Sequence, residues 1–377
     1  VTGRGFTESV PQIPPRSRVT AWAKSEMALA VLDDDRSVQA VAAYGCTWNT
    51  CHRAVVAVAD PVLEVAPAPV RVLGIDETRR GRARWEICEE TGRRTRVDRW
   101  DTGLVDISGD QGLLVQVNGR TSAVVTDWFA GCDPDWKAPI THVAIDMSAV
   151  YAKAVREALP HARVVVDRFH LAKKANEMVD AVRRRITQTR RGRRGRKSDV
   201  EWINRRRLLR AAERLTDEQR RVLFDKLTSA DPNGDIAAAW IVKELLRDVL
   251  ACTDRGGLRY EVRDALYRFY EFCAACSVPE IAAFANTITT WQDPMVLAIT
   301  TGLSNARSEG YNRIVKHVGR IAFGFRNPEN QRRRVRWPAP ASLGGRQVSG
   351  SSAPANSEEP DSWGIGTSRT RSTTCGM

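Results

Sequence analysis

Three short aliphatic runs, each ending against an aspartate, constrain this chain more than any other feature. Val70-Arg71-Val72-Leu73-Gly74-Ile75, Val143-Ala144-Ile145 and Val164-Val165-Val166 are mostly β-branched or aliphatic, as buried strands require. Asp76, Asp146 and Asp167 follow them at once. Between the second and third runs, Ser148 is placed to cap an Ala-rich helix that Pro160 ends. This β–α–β order predicts a mixed α/β sheet, with the acids at the carboxyl edge where such folds place ligands. Taken singly, each aspartate is equally a cap for the turn or helix that follows it.

The 377 residues divide by composition into zones without internal repeats. Residues 1–69 mix helical patches with Pro-rich joints at Pro11 to Pro15 and Pro61 to Pro69. Residues 70–182 alternate strand-like and helix-like segments, 183–300 read as a basic and mainly helical zone, and 301–337 hold one more helix and Arg-rich sequence. The tail from Pro338 to Met377 is rich in Ser, Gly, Pro and Thr, which predicts disorder; its change of character fits a frameshifted or fused end. The first residue, Val1, fits a fragment or an alternative start.

Lys and Arg total 58 against 45 acids, a net charge of +13, which favours a polyanionic partner. Arginine outnumbers lysine 49 to 9, a skew that a GC-rich genome also produces. No apolar run approaches the ~18 residues of a membrane span, and no signal-peptide pattern opens the chain. Eight cysteines without framework spacing fit a reduced, cytoplasmic setting. Cys273 and Cys276 form a lone Cys-x-x-Cys, and Cys46, Cys51 and His52 have no partner set, so no zinc site is predicted.

Clustered carboxylates repel one another unless cations hold them, and two Mg²⁺ ions ~3.5–4 Å apart are the common arrangement for phosphodiester chemistry. A further acid comes from Asn305-Ala306-Arg307-Ser308-Glu309-Gly310-Tyr311-Asn312. There Tyr311, Ile314, Val315 and Val318 form an apolar helical stripe. Asn305, Glu309, Asn312 and Lys316 form a polar one, either a solvated face or a face that presents Glu309 to a metal and the amides and lysine to phosphates.

These segments together resemble the ISL3 family of bacterial insertion-sequence transposases. Leu73-Gly74-Ile75-Asp76-Glu77, Ala144-Ile145-Asp146-Met147-Ser148, Val166-Asp167-Arg168-Phe169-His170, the Asn305–Asn312 segment and Gly324-Phe325-Arg326-Asn327 match its motifs in order, over roughly residues 5–336. The resemblance implies a ribonuclease-H-like catalytic core with an inserted helical region, preceded by a helix-turn-helix. It implies a catalytic, metal-holding triad of Asp76, Asp146 and Glu309, spaced by 70 and 163 residues, with Mn²⁺ able to replace Mg²⁺. Asp167 is the rival for a triad place and, with His170, is assigned to supporting the site or contacting DNA; Glu77 is a weaker rival, since adjacent strand residues point to opposite faces. The implied activity is DNA strand cleavage and transfer on element ends and target DNA, by a homo-oligomer on paired ends. The alternative is a decayed transposase that only binds DNA, and a general nuclease of the same fold is a further one.

Residues 36–58 resemble a helix-turn-helix, with Gly45 at the turn and residues 47–55 as the recognition helix. Thr47, Trp48, Asn49, Thr50, His52 and Arg53 are its candidate DNA contacts. Val41 stands four before Gly45, where a small residue is usual, and the family's Cys-rich N-terminal zinc module is missing. From Arg183 to Lys197, nine of fifteen residues are basic, which makes Arg183, Arg184, Arg185, Arg190 and Arg191 a solvated run or a phosphate-tracking one. Upstream, Leu171, Ala175, Met178, Val179 and Val182 form a stripe expected in the core. Trp291 is either a core residue or a stacking platform for an unpaired base.

Overall fold

The structure, a computed structural model, describes residues 18–97 and 99–337. The expected Pro11–Pro15 joint and the Pro338–Met377 tail therefore lie outside the described residues. Three helices come first: α1 (Ala21–Leu32), α2 (Val38–Ala42) and α3 (Trp48–Leu63). Then come β1 (Val72–Arg79), β2 (Arg84–Ile87), β3 (Arg94–Val97), β4 (Trp100–Asp106) and β5 (Leu113–Asn118). Helices α4 (Ser122–Ala130) and α5 (Pro134–Lys137) precede β6 (His142–Ile145), and α6 (Ala149–Ala158) joins it to β7 (Arg163–Val166). A helical region follows: α7 (Arg168–Arg191), α8 (Val200–Ile203), α9 (Arg205–Leu208), α10 (Asp217–Thr228), α11 (Asp235–Ala251), α12 (Arg259–Ala275), α13 (Pro279–Thr290) and α14 (Gln292–Thr301). The last helices are α15 (Ala306–Ile321) and α16 (Pro328–Arg336).

Five strands form one mixed sheet in the order β5-β4-β1-β6-β7, while β2 and β3 make a separate two-stranded ribbon inserted between β1 and β4. β4 runs antiparallel to both its neighbours, and β1, β6 and β7 are mutually parallel. The parallel strands are buried on both faces. Leu73, Ile75, Val143 and Ile145 pack with Phe129 of α4 and Tyr151 and Val155 of α6. On the opposite face Ala144 and Val165 pack with Leu297 and Ala298 of α14. α6 begins as expected, with the Ser148 side chain accepting from the Tyr151 backbone, and ends before Pro160.

Several expectations need correction in detail. Asp76 does not end its strand, because β1 continues to Arg79 by pairing with β4 after β6 has stopped at Ile145. Pro61 does not break α3, which runs to Leu63, so the hydrogen bond its missing N–H removes lies in the last turn of the helix. Ile314 is exposed while Val315 and Val318 are buried, because α15 turns only part of that stripe onto Val105 and Leu113 of the sheet. The stripe of Leu171, Ala175, Met178, Val179 and Val182 lies in the core of the helical region, and α7 continues unbroken through it to a left-handed Gly192 (φ 63°). Among the described residues, no helix is long and apolar enough to cross a membrane.

Candidate active site

Strand register assembles the acids. β1 pairs Ile75 with Ile145 of β6, and β6 pairs Ile145 with Val166 of β7. The next residues, Asp76, Asp146 and Asp167, therefore stand side by side across three neighbouring strands, spaced by roughly 5 Å. By the alternation of side chains they share the face of Gly74, Ala144 and Val165, which α14 and α15 cover. Asp167 is also a cap: its side chain accepts from the Phe169 backbone at the start of α7.

α15 brings the fourth acid onto this face because nothing larger than hydrogen stands at position 74. A Cβ on Gly74 would lie 2.8 Å from Asn305 Oδ1 and 2.8 Å from Ile107 Cδ1, and closer still to the Ser308 hydroxyl. Asn305 is fully buried and donates through Nδ2 to the Ile75 carbonyl (3.2 Å), which pins the start of α15 to β1. Two turns on, Asn312 Nδ2 donates to Asp76 Oδ2 (2.6 Å), and its Oδ1 accepts from the Thr78 hydroxyl. Glu309 lies between these anchors on the same polar stripe. One ligand atom from each of Asp167, His170 and Glu309 lies within 4.8 Å of the others.

The electrostatics are those of crowded anions. Burial, with Asp146 and Glu77 beside it, pushes the Asp76 carboxyl up to about 7, against the backbone hydrogen bond from Glu77. His170 Nε2 lies 2.9 Å from Asp146 Oδ2, and Nδ1 lies 3.7 Å from Asp167 Oδ2. The hydrogen bond to Asp146 and the nearby Asp167 carboxylate raise the imidazole to about 10 despite its partial burial, while its Nδ1 has no hydrogen-bond partner among the described residues. Asp146 Oδ1 is buried with no hydrogen-bond partner among the described residues. A cleft of about 220 Å³ opens beside Asp146 and His170, bordered by Glu77, Lys173 and Lys174. An unpartnered carboxylate oxygen in a set of hard oxygen donors fits a divalent cation of the Mg²⁺ type.

The remaining candidates are scattered. Trp291 is half-buried and packs against both the sheet core and the helical core. Lys316 is exposed, one turn beyond Asn312. Asn305 and Asn312 face the protein, so the stripe they share with Glu309 is no solvated face. Arg183 is buried against Asp180, Arg184 pairs with Asp180, Arg185 with Asp235 and Glu280, and Arg191 with Asp199 and Glu201. Arg190 donates to the Ser229 carbonyl (2.5 Å). α2 and α3 form a helix pair with Gly45 in the turn at φ 110°. Within it, Thr47 caps Thr50, Trp48 stacks on His52 at 4.7 Å, and His52 Nε2 lies 3.0 Å from Asn330 Oδ1 of α16; Asn49 and Arg53 are exposed. Sequence reasoning missed Gly74, Thr78 and Lys173. For Lys173 the signal was present, one helical turn after His170.

The family model of the ISL3-type DDE transposases, described as a transposase, matches residues 73–335. The chain is 30% identical over 255 residues to the transposase for insertion sequence element IS1557 of Mycobacterium tuberculosis, covering 62% of this chain and 55% of that protein. It is 28% identical over 236 residues to the transposase for IS1001 of Bordetella parapertussis, covering 61% and 55%. The chain thus spans about half the length of these relatives. A Drosophila P element transposase strand transfer complex is similar at a TM-score of 0.42 with 11% identity, covering 89% of this chain and 95% of that one. With its family model matched over most of its length, the chain belongs to the ISL3 family of insertion-sequence transposases.

Proposed function

We propose that this chain cleaves and transfers DNA strands at the ends of an insertion sequence, using Asp76, Asp146 and Glu309 as its catalytic acids with Asp167 and His170 in support. The observation that carries the proposal is the row of three aspartates on adjacent strands with Glu309 of α15 meeting it at Asp167 and His170. The sheet order, in which β4 alone runs against the other strands, supports a ribonuclease-H-like core. Two Mg²⁺ ions, or Mn²⁺ in their place, held by these carboxylates would supply an activated attacking oxygen and stabilise the leaving one.

The residues around the acids have separate tasks. Asn312 orients Asp76, and Asn305 holds the helix that carries Glu309. His170 orients Asp146 and Asp167 and offsets their repulsion. Lys173 and Lys174, on the rim of the cleft, are suited to hold the phosphate of the strand being cut. In the reaction, oxygen from water or from a DNA 3′-hydroxyl forms a new bond to phosphorus as the bond to the leaving 3′-oxygen breaks. The nucleophile loses its proton to solvent, and the leaving oxygen takes one up.

DNA is the partner in this reading, as element ends and target, with the chain acting in the cytoplasm as a homo-oligomer on paired ends. The exposed Asn49 and Arg53 of α3 make the helix pair a candidate reader of the major groove. The test is nicking of a plasmid that carries the element's own flanking DNA, with Mg²⁺ or Mn²⁺. Wild type should cut, and Asp146→Asn should bind the same DNA without cutting. Equal cutting by the variant would refute the assignment.

A further inference from the structure

The arginines of this chain fall into two groups according to what faces them. In the helical region several are neutralised internally: Arg185, Arg191, Arg193 and Arg247 all meet carboxylates of other elements or turns. At the base of the β2–β3 ribbon they are not. Arg80, Arg84 and Arg99 meet Arg326, from the turn between α15 and α16, on one cleft of about 420 Å³ that Trp100 and Asn118 also line. Asp101 answers Arg80 (Nε to Oδ2, 2.7 Å) and is shared with Arg332 (3.1 Å). Arg84, Arg99 and Arg326 are in no ion pair among the described residues, although Glu86 borders the same cleft. Partial burial and the nearby Arg84 and Arg80 lower the pKa of Arg99, against the opposing pull of Asp101 and Glu86.

This cleft adjoins a second one whose lining reaches within two residues of Asp76 along β1. A neighbouring cleft of about 380 Å³ shares Arg80 and is lined by Thr78, Lys316 and Arg320. Thr78 is two residues beyond Asp76 on β1, and its hydroxyl donates to Asn312, the residue that holds Asp76. Lys316 lies one turn beyond Asn312 on α15. The cations thus start beside the catalytic row and run across Arg80 to the ribbon. The ribbon is solvent-exposed throughout, and pairing of Arg84 with Val97 and of Trp85 with Arg96 sets alternate residues on its two faces.

We propose that the track from Lys316 and Arg320 across Arg80 to the Arg84–Arg99–Arg326 cleft carries the phosphate backbone of the DNA next to the cleavage point. The inference rests on the DNA-cleaving function proposed above, and it assigns the path to the β2–β3 ribbon in place of the basic end of α7. Guanidinium groups bind phosphate oxygens in bidentate fashion, and a polyanion relieves the mutual repulsion that Asp101 and Glu86 only partly offset here. The α7 arginines, already bound to carboxylates or carbonyls, would have to break those contacts first.

The test is a fluorescence-anisotropy titration of the full chain with a labelled 20-base-pair duplex lacking element sequence, from 50 to 200 mM KCl. Arg84→Ser/Arg326→Ser removes two exposed side chains that hold no ion pair, and Arg184→Ser/Arg190→Ser in α7 is the comparison. Loss of two phosphate contacts should make the slope of log K against log salt less negative by about 1.8 and weaken binding at least about tenfold at 0.1 M salt. The α7 pair should change the slope by less than half as much. An unchanged slope in the cleft variant, or an equal loss in the α7 variant, overturns the path and leaves the DNA-cleaving function standing. Absence of salt-dependent binding by wild type removes both.

Discussion

Replacing Asp76 by Asn should stabilise the metal-free protein, and by an amount that grows with pH. The Asp76 carboxyl is pushed up to about 7 by burial and by Asp146 and Glu77, from a usual value of 3.8. A group whose folded pKa is raised contributes stability below its unfolded pKa, and that contribution is lost as pH rises through the folded pKa. Over roughly three units at about 1.4 kcal/mol each, wild type loses on the order of 4 kcal/mol between pH 4 and 7. Asn cannot ionise and escapes that loss. It gives up one acceptor, since Asp76 takes hydrogen bonds from Asn312 Nδ2 (2.6 Å) and the Glu77 backbone (2.7 Å), at a cost of about 1 kcal/mol that does not vary with pH. The difference in unfolding free energy should therefore move in favour of Asp76→Asn by about 2–3 kcal/mol between pH 5 and pH 8. Urea unfolding in EDTA at the two pH values measures it. A difference that is constant with pH, or that moves toward wild type as pH rises, would refute the argument that burial and the neighbouring acids hold the Asp76 carboxyl up in the fold.

Other expectations follow from the same geometry. Gly74→Ala should destabilise the fold by about 1–3 kcal/mol in urea, because the new methyl meets the anchored start of α15, and it should impair plasmid nicking more than DNA binding. Asn312→Leu removes the donor to Asp76 and leaves the Thr78 hydroxyl unpaired, and should cost about 1–3 kcal/mol in the same assay. His170 should be an imidazolium at pH 8 in the metal-free protein, seen by the nitrogen shifts of labelled histidine. Its stabilisation is fully present below pH 6.5 and lost as pH rises through about 10; a neutral ring at pH 8 would contradict the bridge to Asp146 and Asp167.

The strand–aspartate units were legible because β6 and β7 are short aliphatic runs and Ser148 is a strong cap for α6. Their common level across three strands was not, since register depends on pairing between segments up to 70 residues apart in sequence. β4 escaped notice because it carries Asp101, Thr102 and Gly103 where a buried strand is expected to be apolar. Asp101 is tolerated there because Arg80 and Arg332 answer it from distant elements. The basic stretch at the end of α7 drew attention through its composition, whereas two of its carboxylate partners, Asp235 and Glu280, lie 50 and 95 residues away from Arg185. The ribbon arginines gave a weaker sequence signal because acids interrupt them, and only the cleft shared with Arg326 reveals them as a group. Asp167 and His170 are spaced for one helical face, yet their joint approach to Glu309 needed the fold of α15 onto Gly74.

The account turns on whether the acids at the sheet edge hold divalent cations. Isothermal titration of the metal-free full chain with Mn²⁺ at pH 8, beside Asp146→Asn and Glu309→Gln, measures this directly. Saturable uptake by wild type that either substitution weakens at least about tenfold is the predicted result. Uptake by both variants indistinguishable from wild type, or none by wild type, would contradict it.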